Sequence, residues 1–333
     1  MRNISTLMEY AEAVPPGDLY GFKISSMPVP APGPGEVLVR IRAAGVNRAD
    51  CSQRQGKYVV PFGANAIMGL ECAGEVVSRG MGAHRFADGE AVCALLAGGG
   101  YAQYVAVSEA LCLPIPGDLT MVEGASLMEA CCTVWSNLSM RAELKEKDTL
   151  LVHGGASGIG VMAIQIYTAY GVRVLATAGS EEKCRACVSL GADECINYQS
   201  QDFAAAVNEA TGGQGVDVVL DIVGSEYFSK NLQVLKDGGY LVGIAAMSGG
   251  RATVDLLEVI MKGLTITGSV LRKQSVEHKV EIVAQVKKHL WPLMQSGTIR
   301  AVVHETFDLS NVGSAHRLME SSGHIGKIVL EVN

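Results

Sequence analysis

The chain has 333 residues, 48% hydrophobic and 18% charged, which is enough apolar material for two cores and excludes a disordered or fibrous chain. Lysine and arginine total 27 against 34 aspartates and glutamates, and the formal charge of -7 excludes a nucleic-acid footprint over the whole protein. No apolar run approaches a membrane span, and nine scattered cysteines make no disulfide framework, so a cytoplasmic protein with no nucleic-acid or membrane partner is expected.

The opening stretch, MRNISTLMEYAEAVPP, lacks the basic start, apolar centre and small-residue cleavage site of a secretory signal. From there to residue 123 the chain is rich in glycine, proline and valine. GEVLVRIRAAGV, GLECAGEVVSRG, GEAVCALL and YAQYVAV place β-branched or alternating apolar residues between glycines, which predicts a mostly β domain of short strands and tight turns. Residues 124–270 alternate helix and strand patterns, the signature of a doubly wound parallel sheet.

That middle block opens with TLLVHGGASGIGVMAIQIYTAY, an apolar run, a glycine turn and then apolar residues at helical spacing. It reads as a dinucleotide-binding βα unit. Gly155 and Gly160 fit the first and last glycines of the GxGxxG pattern, whereas Ser157 takes the middle place. Gly155, Ala156, Ser157, Gly158, Ile159 and Gly160 therefore make the expected pyrophosphate turn, with the ligand's charge at the helix N-terminus. VRVLATA, ECINY, VDVVLDIVG, GYLVGIA and LTITGSV supply five further strands.

Cofactor choice turns on the end of the second of these strands, where a carboxylate would bind the ribose hydroxyls of NAD. Ala178, Gly179 and Ser180 stand there instead. Gly179 leaves room for a 2′-phosphate, Ser180 offers a hydroxyl and Lys183 a positive charge, which favours NADPH. Ser180 also suits a helix N-cap, and both roles can coexist. Cys184 and Cys187 form a lone CxxC on a predicted helix and read as buried free thiols rather than a zinc or redox site. His153, ending a buried strand, reads as structural or cofactor-packing. Gly243, Ile244, Ala245 and Met247 end the strand GYLVGIA at the expected ligand crevice.

After residue 271 come one long amphipathic helix, VEHKVEIVAQVKKHLWPLMQSG, and a last strand, GKIVLEV, which must rejoin the first domain. The expected organisation is 1–123 and 271–333 in one domain and 124–270 in the other. LTITGSV, at the sheet's edge, needs a cover, and a second copy of the chain would supply one.

Taken in order, PAPGPGEVLVRIRAAGVNRADCSQRQGKY, GLECAGEVV, GGYAQYV, the glycine turn, LGADECINY, GVDVVLDIVG and GHIGKIVL resemble the zinc-free quinone oxidoreductase branch of the medium-chain dehydrogenase/reductase superfamily over almost the full length. The resemblance implies a GroES-like catalytic domain completed by the C-terminus, a central Rossmann domain, and a homodimer that can assemble further into tetramers. It places Asn47 and Thr133 beside the nicotinamide and Tyr198 near the adenosine phosphate. Tyr58 is the expected polar or stacking group at a quinone slot. Where zinc-dependent relatives carry a Cys after the GV step and a His in GHE, this chain has Asn47 and Leu70, so no metal is expected.

The expected activity is zinc-independent hydride transfer from NADPH to a small-molecule quinone or conjugated carbonyl. An enal or enone reductase is the enzymatic alternative, and an NADPH-binding redox sensor of low turnover is the alternative from another class.

Overall fold

A computed structural model of the chain describes residues 5–14 and 20–333, so parts of the opening stretch, MRNISTLMEYAEAVPP, in which no secretory-signal pattern is expected, lie outside the described residues. Two compact units form: residues up to Cys132 with Arg272–Ser296 and Ala301–Asn333, and Thr133–Leu271 with Gly297–Arg300.

In the first unit, β1 (Leu7–Ala13) and β2 (Phe22–Pro28) pair as an antiparallel ribbon. Then follow β3 (Glu36–Val46), α1 (Arg48–Arg54), β4 (Glu71–Arg79), β5 (Ala91–Leu95), β6 (Tyr104–Ser108), β7 (Cys112–Pro114) and α2 (Met121–Gly124). The chain passes to the second unit within α3 (Met128–Leu138).

The second unit alternates β8 (Thr149–His153), α4 (Gly158–Ala169), β9 (Arg173–Ala178), α5 (Glu181–Ser189), β10 (Glu194–Asn197), α6 (Phe203–Ala210), β11 (Val216–Asp221), α7 (Phe228–Val234), β12 (Leu235–Gly243), α8 (Leu256–Lys262) and β13 (Thr265–Gly268). All six strands are parallel, in the order β10-β9-β8-β11-β12-β13. The order reverses between β8 and β11, which is where a doubly wound sheet opens its ligand crevice. Every residue of β8 is buried, as a central parallel strand covered on both faces requires. Leu151, Leu175, Val219 and Leu241 from four of these strands pack with Phe203, Val207 and Leu232 in one core.

The chain then returns to the first unit with α9 (Val276–His289), α10 (Trp291–Gln295), β14 (Val303–Asp308), α11 (Val312–Ser321) and β15 (Lys327–Glu331). The expected single long helix is two helices. Pro292 in the first turn of α10 has no N–H to continue the ladder, and Leu290 closes α9 and opens α10. The last strand, β15, pairs antiparallel with β3 in a seven-stranded sheet ordered β14-β15-β3-β4-β5-β7, with β6 also on β3. That pairing sets Ile328 opposite Val46 and Val329 opposite Gly45, which carries Lys327 just past the end of β3, to Asn47.

Candidate active site

In the second unit the glycine turn joins β8 to α4. Gly160 must be glycine because a Cβ there would lie 2.3 Å from Gly154 O and 2.6 Å from Gly155 C. Ser157, which displaces the middle glycine of the fingerprint, is the N-cap of α4, and its Oγ accepts the Gly160 N–H at 3.0 Å. The departure thus turns a glycine into a cap. Ala156 is buried, and Gly158 and Ile159 open the helix, whose first N–H groups lack intrahelical partners and lie at the positive end of the helix dipole, which favours an anion.

At the end of β9, a Cβ on Gly179 would lie 2.5 Å from Tyr198 Oη, so the bare glycine is what lets that ring stand beside the strand end. Tyr198 lies just past β10, 41% exposed, with its N–H on Ala178 O. Ser180 caps α5, its Oγ accepting the Lys183 N–H at 3.3 Å, and burial draws the Lys183 ammonium below the ordinary lysine range. Glu181, the nearest carboxylate in sequence, accepts the Asn197 side-chain amide at 2.7 Å.

At the same edge of the sheet, Gly243 ends β12 and the Ile244 N–H bonds Asp221 O. Ala245 and Met247 are exposed beyond it. His153 is buried between Thr177 Oγ1 at 3.0 Å and Asn231 Oδ1 at 2.7 Å, and burial lowers its pKa to about 4. Asn231 Oδ1 can only accept, so Nε2 carries the proton and the ring is a neutral structural group. Thr133 is also buried in this unit, its carbonyl accepting the Asn137 side chain, which in turn accepts Ser269 Oγ at 2.9 Å. A groove of about 860 Å³, lined by Gly215, Lys236 and Lys262 among others, opens where β11 and β12 begin. It is at the wrong end of parallel strands for a dinucleotide.

The first unit holds a buried polar cluster. Glu71, fully buried at the start of β4, accepts Lys327 Nζ at 2.5 Å and Asn47 Nδ2 at 3.0 Å on Oε1, and the Glu129 N–H at 2.9 Å on Oε2. Lys327 also donates to Asn47 Oδ1 at 2.6 Å. Asn47 is therefore oriented by a charged pair, with its N–H held by Asp50 at the start of α1. A Cβ on Gly45 would lie 2.3 Å from Glu71 Oε1, which explains the glycine of the GV step. Leu70 and Cys72, flanking Glu71, are buried. Among the described residues no three His, Cys, Asp or Glu side chains are placed to hold a metal ion.

Arg272 lies near Tyr58, its guanidinium carbon 5.5 Å from the ring centroid. Its Nε donates to Ala97 O and its Nη1 to Gln53 Oε1 at 2.6 Å, while Nη2, also buried, has no partner among the described residues. Lys279, buried in α9, donates to Arg272 O at 2.8 Å. Crowding and the neighbouring Glu71 charge push Glu129 up to about 8, although part of its surface remains accessible. A buried hydrogen-bonded chain lies in the same unit. Arg54 donates to His316 Nδ1 at 3.0 Å, so the His316 Nε2–H faces Tyr101 Oη at 3.1 Å. Burial lowers His316 to about 3 and raises Asp50 to about 6.

The expected residues thus fall into two groups. The turn, Gly179, Ser180, Lys183, Tyr198, Gly243 to Met247 and Thr133 belong to the second unit, Asn47 and Tyr58 to the first. The sequence reading passed over Arg272, Lys279, Lys327 and Glu129. Only Lys327 carried a signal, a lysine at the start of an otherwise apolar closing strand, GKIVL.

Residues 33–117 match the alcohol dehydrogenase GroES-like domain and residues 158–285 the zinc-binding dehydrogenase family. The chain is 28% identical over 308 residues to a quinone oxidoreductase of Rattus norvegicus, covering 92% of each. It is 32% identical over 311 residues to a 2-haloacrylate reductase of Burkholderia sp, covering 91% of this chain and 92% of the other. Among solved structures, the Escherichia coli quinone oxidoreductase complexed with NADPH superposes with a TM-score of 0.85 at 26% identity, covering 98% and 100% of the two chains. An NAD-dependent alcohol dehydrogenase superposes at 0.87 with 30% identity, again covering 98% and 100%.

Proposed function

The chain belongs to the medium-chain dehydrogenase/reductase family, and from that membership we propose that it is an NADPH-dependent quinone oxidoreductase that works without zinc. NADPH, when bound, supplies the hydride. The turn from Gly155 to Gly160 holds the pyrophosphate at the start of α4, and Ser180, Lys183 and Tyr198 take the 2′-phosphate in the space Gly179 leaves. Thr133 orients the nicotinamide and Gly243, Ile244, Ala245 and Met247 line the crevice of the second unit, while Asn47 of the first unit offers its amide to ribose or substrate.

The observation that carries the reading is Arg272, a buried guanidinium with one N–H group unpartnered beside the Tyr58 ring. Reduction of a quinone leaves an anionic oxygen, and a desolvated N–H donor stabilises it as a Lewis acid otherwise would. Zinc independence is supported by Glu71, whose oxygens are taken by an ammonium, an amide and a backbone N–H. The quinol oxygen can then take its proton from water.

Glu129 favours a second reading. A carboxyl that keeps its proton to about pH 8 is a donor suited to carbon, as reduction of an enal or enone requires. The test is oxidation of NADPH and NADH by metal-chelated protein over quinones and 2-alkenals, with Arg272→Met alongside. Quinone turnover that prefers NADPH, survives chelation and drops about a hundredfold in kcat in the variant is the expected result. Turnover of alkenals alone selects the second reading, and activity lost on chelation removes the zinc-free mechanism.

We further propose a homodimer in the cytoplasm. Leu256, Leu257, Ile260 and Met261 on α8 are 63–74% exposed, and β13 beside them ends the sheet with Ile266 45% exposed. Two copies pairing edge to edge would bury this apolar surface together with the open strand, and a mass measured by light scattering decides it. Nine free thiols suit a reducing compartment.

A further inference from the structure

The guanidinium that would meet the acceptor is closed off from it. Arg272 is 3% exposed, and its Nη2 group, without a partner among the described residues, is buried. No acceptor oxygen reaches that N–H while its cover stays in place. Gln53 and Ala97 are fixed there by the hydrogen bonds they accept from Arg272. Tyr58 is not fixed in this way: its ring lies over the guanidinium, with the centroid 5.5 Å from the guanidinium carbon. The movable part of the cover is the segment that carries Tyr58.

That segment runs between α1 and β4, outside any helix or strand. Gly56, in the left-handed region at φ 69°, turns the chain out of α1, and the Lys57 N–H bonds Ser52 O at 2.9 Å. On the far side Gly63 is also left-handed, at φ 79°, with open space where a Cβ would stand. Beyond it the chain is anchored again, by Gln53 Nε2 donating to Ala66 O at 2.8 Å and by Asn65 Oδ1 accepting the Ile67 N–H at 3.0 Å. From Tyr58 to Gly63 the one hydrogen bond among the described residues is internal, the Ala64 N–H on Pro61 O at 3.0 Å. Val59 is 79% exposed and Phe62 fully exposed. Two large apolar side chains in water stand on the same segment that covers a buried, unsatisfied donor, and both are unfavourable in the absence of a ligand.

We infer that residues 58–62 are a lid, swinging about Lys57 and Gly63, that lifts Tyr58 from Arg272 to admit the acceptor and then lays Val59 and Phe62 over its apolar ring. This rests on the reading of Arg272 as the donor to the acceptor oxygen. With an acceptor in place, the Nη2 N–H gains an oxygen and the two apolar side chains leave water, so a bound ring is what favours closure. Val59 and Phe62 are then specificity-determining residues, selecting acceptors with an apolar face for them to cover.

Lys57, exposed at the first hinge, gives a direct readout, because trypsin cleaves after it while the segment is free. The native protein, with NADP+ present so that no hydride can pass, is digested with and without saturating duroquinone, whose fully substituted ring adds no thiol. Early appearance of a fragment ending at Lys57, lost when duroquinone is added, is the expected result. In Phe62→Ser that protection should disappear, and the KM for duroquinone should rise about tenfold or more with kcat close to wild type. Phe62 is fully exposed, so the variant loses no packing in the free protein and its melting temperature should not move. Cleavage that is equally fast with and without duroquinone, in a protein that turns duroquinone over, overturns the lid alone. So does a Lys57 that stays uncut in the free protein. An unchanged KM in Phe62→Ser overturns the role of Phe62. A protein that neither turns duroquinone over nor protects Lys57 removes the acceptor reading, and the lid with it.

Discussion

Replacing Lys327 with methionine keeps the stem and removes the ammonium from a pair in which the side chains are 6% and 0% exposed. Glu71 is then left with two uncharged donors, the Asn47 amide at 3.0 Å and the Glu129 N–H at 2.9 Å, and Asn47 Oδ1 loses its own donor. Breaking a buried pair from one side costs about 3–5 kcal/mol, because the remaining charge cannot return to water. For a unit of this size that corresponds to a melting temperature lower by about 6–20 °C. The assay is thermal and urea unfolding of the wild type, Lys327→Met and the double variant Lys327→Met/Glu71→Gln. The double variant carries no charge at these two positions and should recover about 2 kcal/mol or more of the loss. A single variant within about 1 kcal/mol of wild type would refute the reasoning, since it would mean that Glu71 needs no cation. If the double variant were as unstable as the single one, the loss would come from packing rather than charge.

Lys183→Ala should weaken NADPH binding by about tenfold or more while leaving NADH nearly unchanged, since a charge-assisted hydrogen bond contributes about 1.5–3 kcal/mol; fluorescence titration with both nucleotides checks it, and equal weakening of the two would remove Lys183 from the phosphate site. His153 gives a pH dependence with a fixed sign. Its pKa is lowered from 6.5 to about 4, so between those values the unfolded chain binds a proton that the native ring refuses. Stability from this group is full above pH 6.5 and falls with pH by about 1.4 kcal/mol per unit until about pH 4. Unfolding midpoints of wild type and His153→Gln near pH 7 and pH 5 should show a shallower acid loss in the variant, and parallel losses would contradict the assignment.

How much was legible in the sequence follows from how far apart the cooperating residues lie. The dinucleotide turn spans six residues of one βα unit, so its glycines, its Ser157 cap and the helix behind it could be read from spacing. The six parallel strands were equally plain, because a strand covered on both faces is an unbroken apolar run. The long helix before Pro292 was misread because amphipathic periodicity continues through a break that only the missing N–H reveals. The polar cluster was largely illegible. Glu71 and Lys327 are joined by the antiparallel pairing of β15 with β3 and of β3 with β4, and no local pattern announces a pair formed across three strands. Arg272 likewise gains its significance from Gln53, Tyr58 and Ala97, which arrive from distant loops and leave one of its N–H groups unsatisfied.

The sequence by itself determined the parallel sheet, the turn and the absence of a carboxylate at Ala178, Gly179 and Ser180 where β9 ends, since each depends on neighbours along the chain. Only the tertiary structure decided that Lys327 neutralises Glu71 and that Ala97 and Gln53 meet Arg272. Whether a buried charge has a counter-ion, or a buried donor an acceptor, depends on what packing brings within a few ångströms, and one-dimensional spacing does not record that distance.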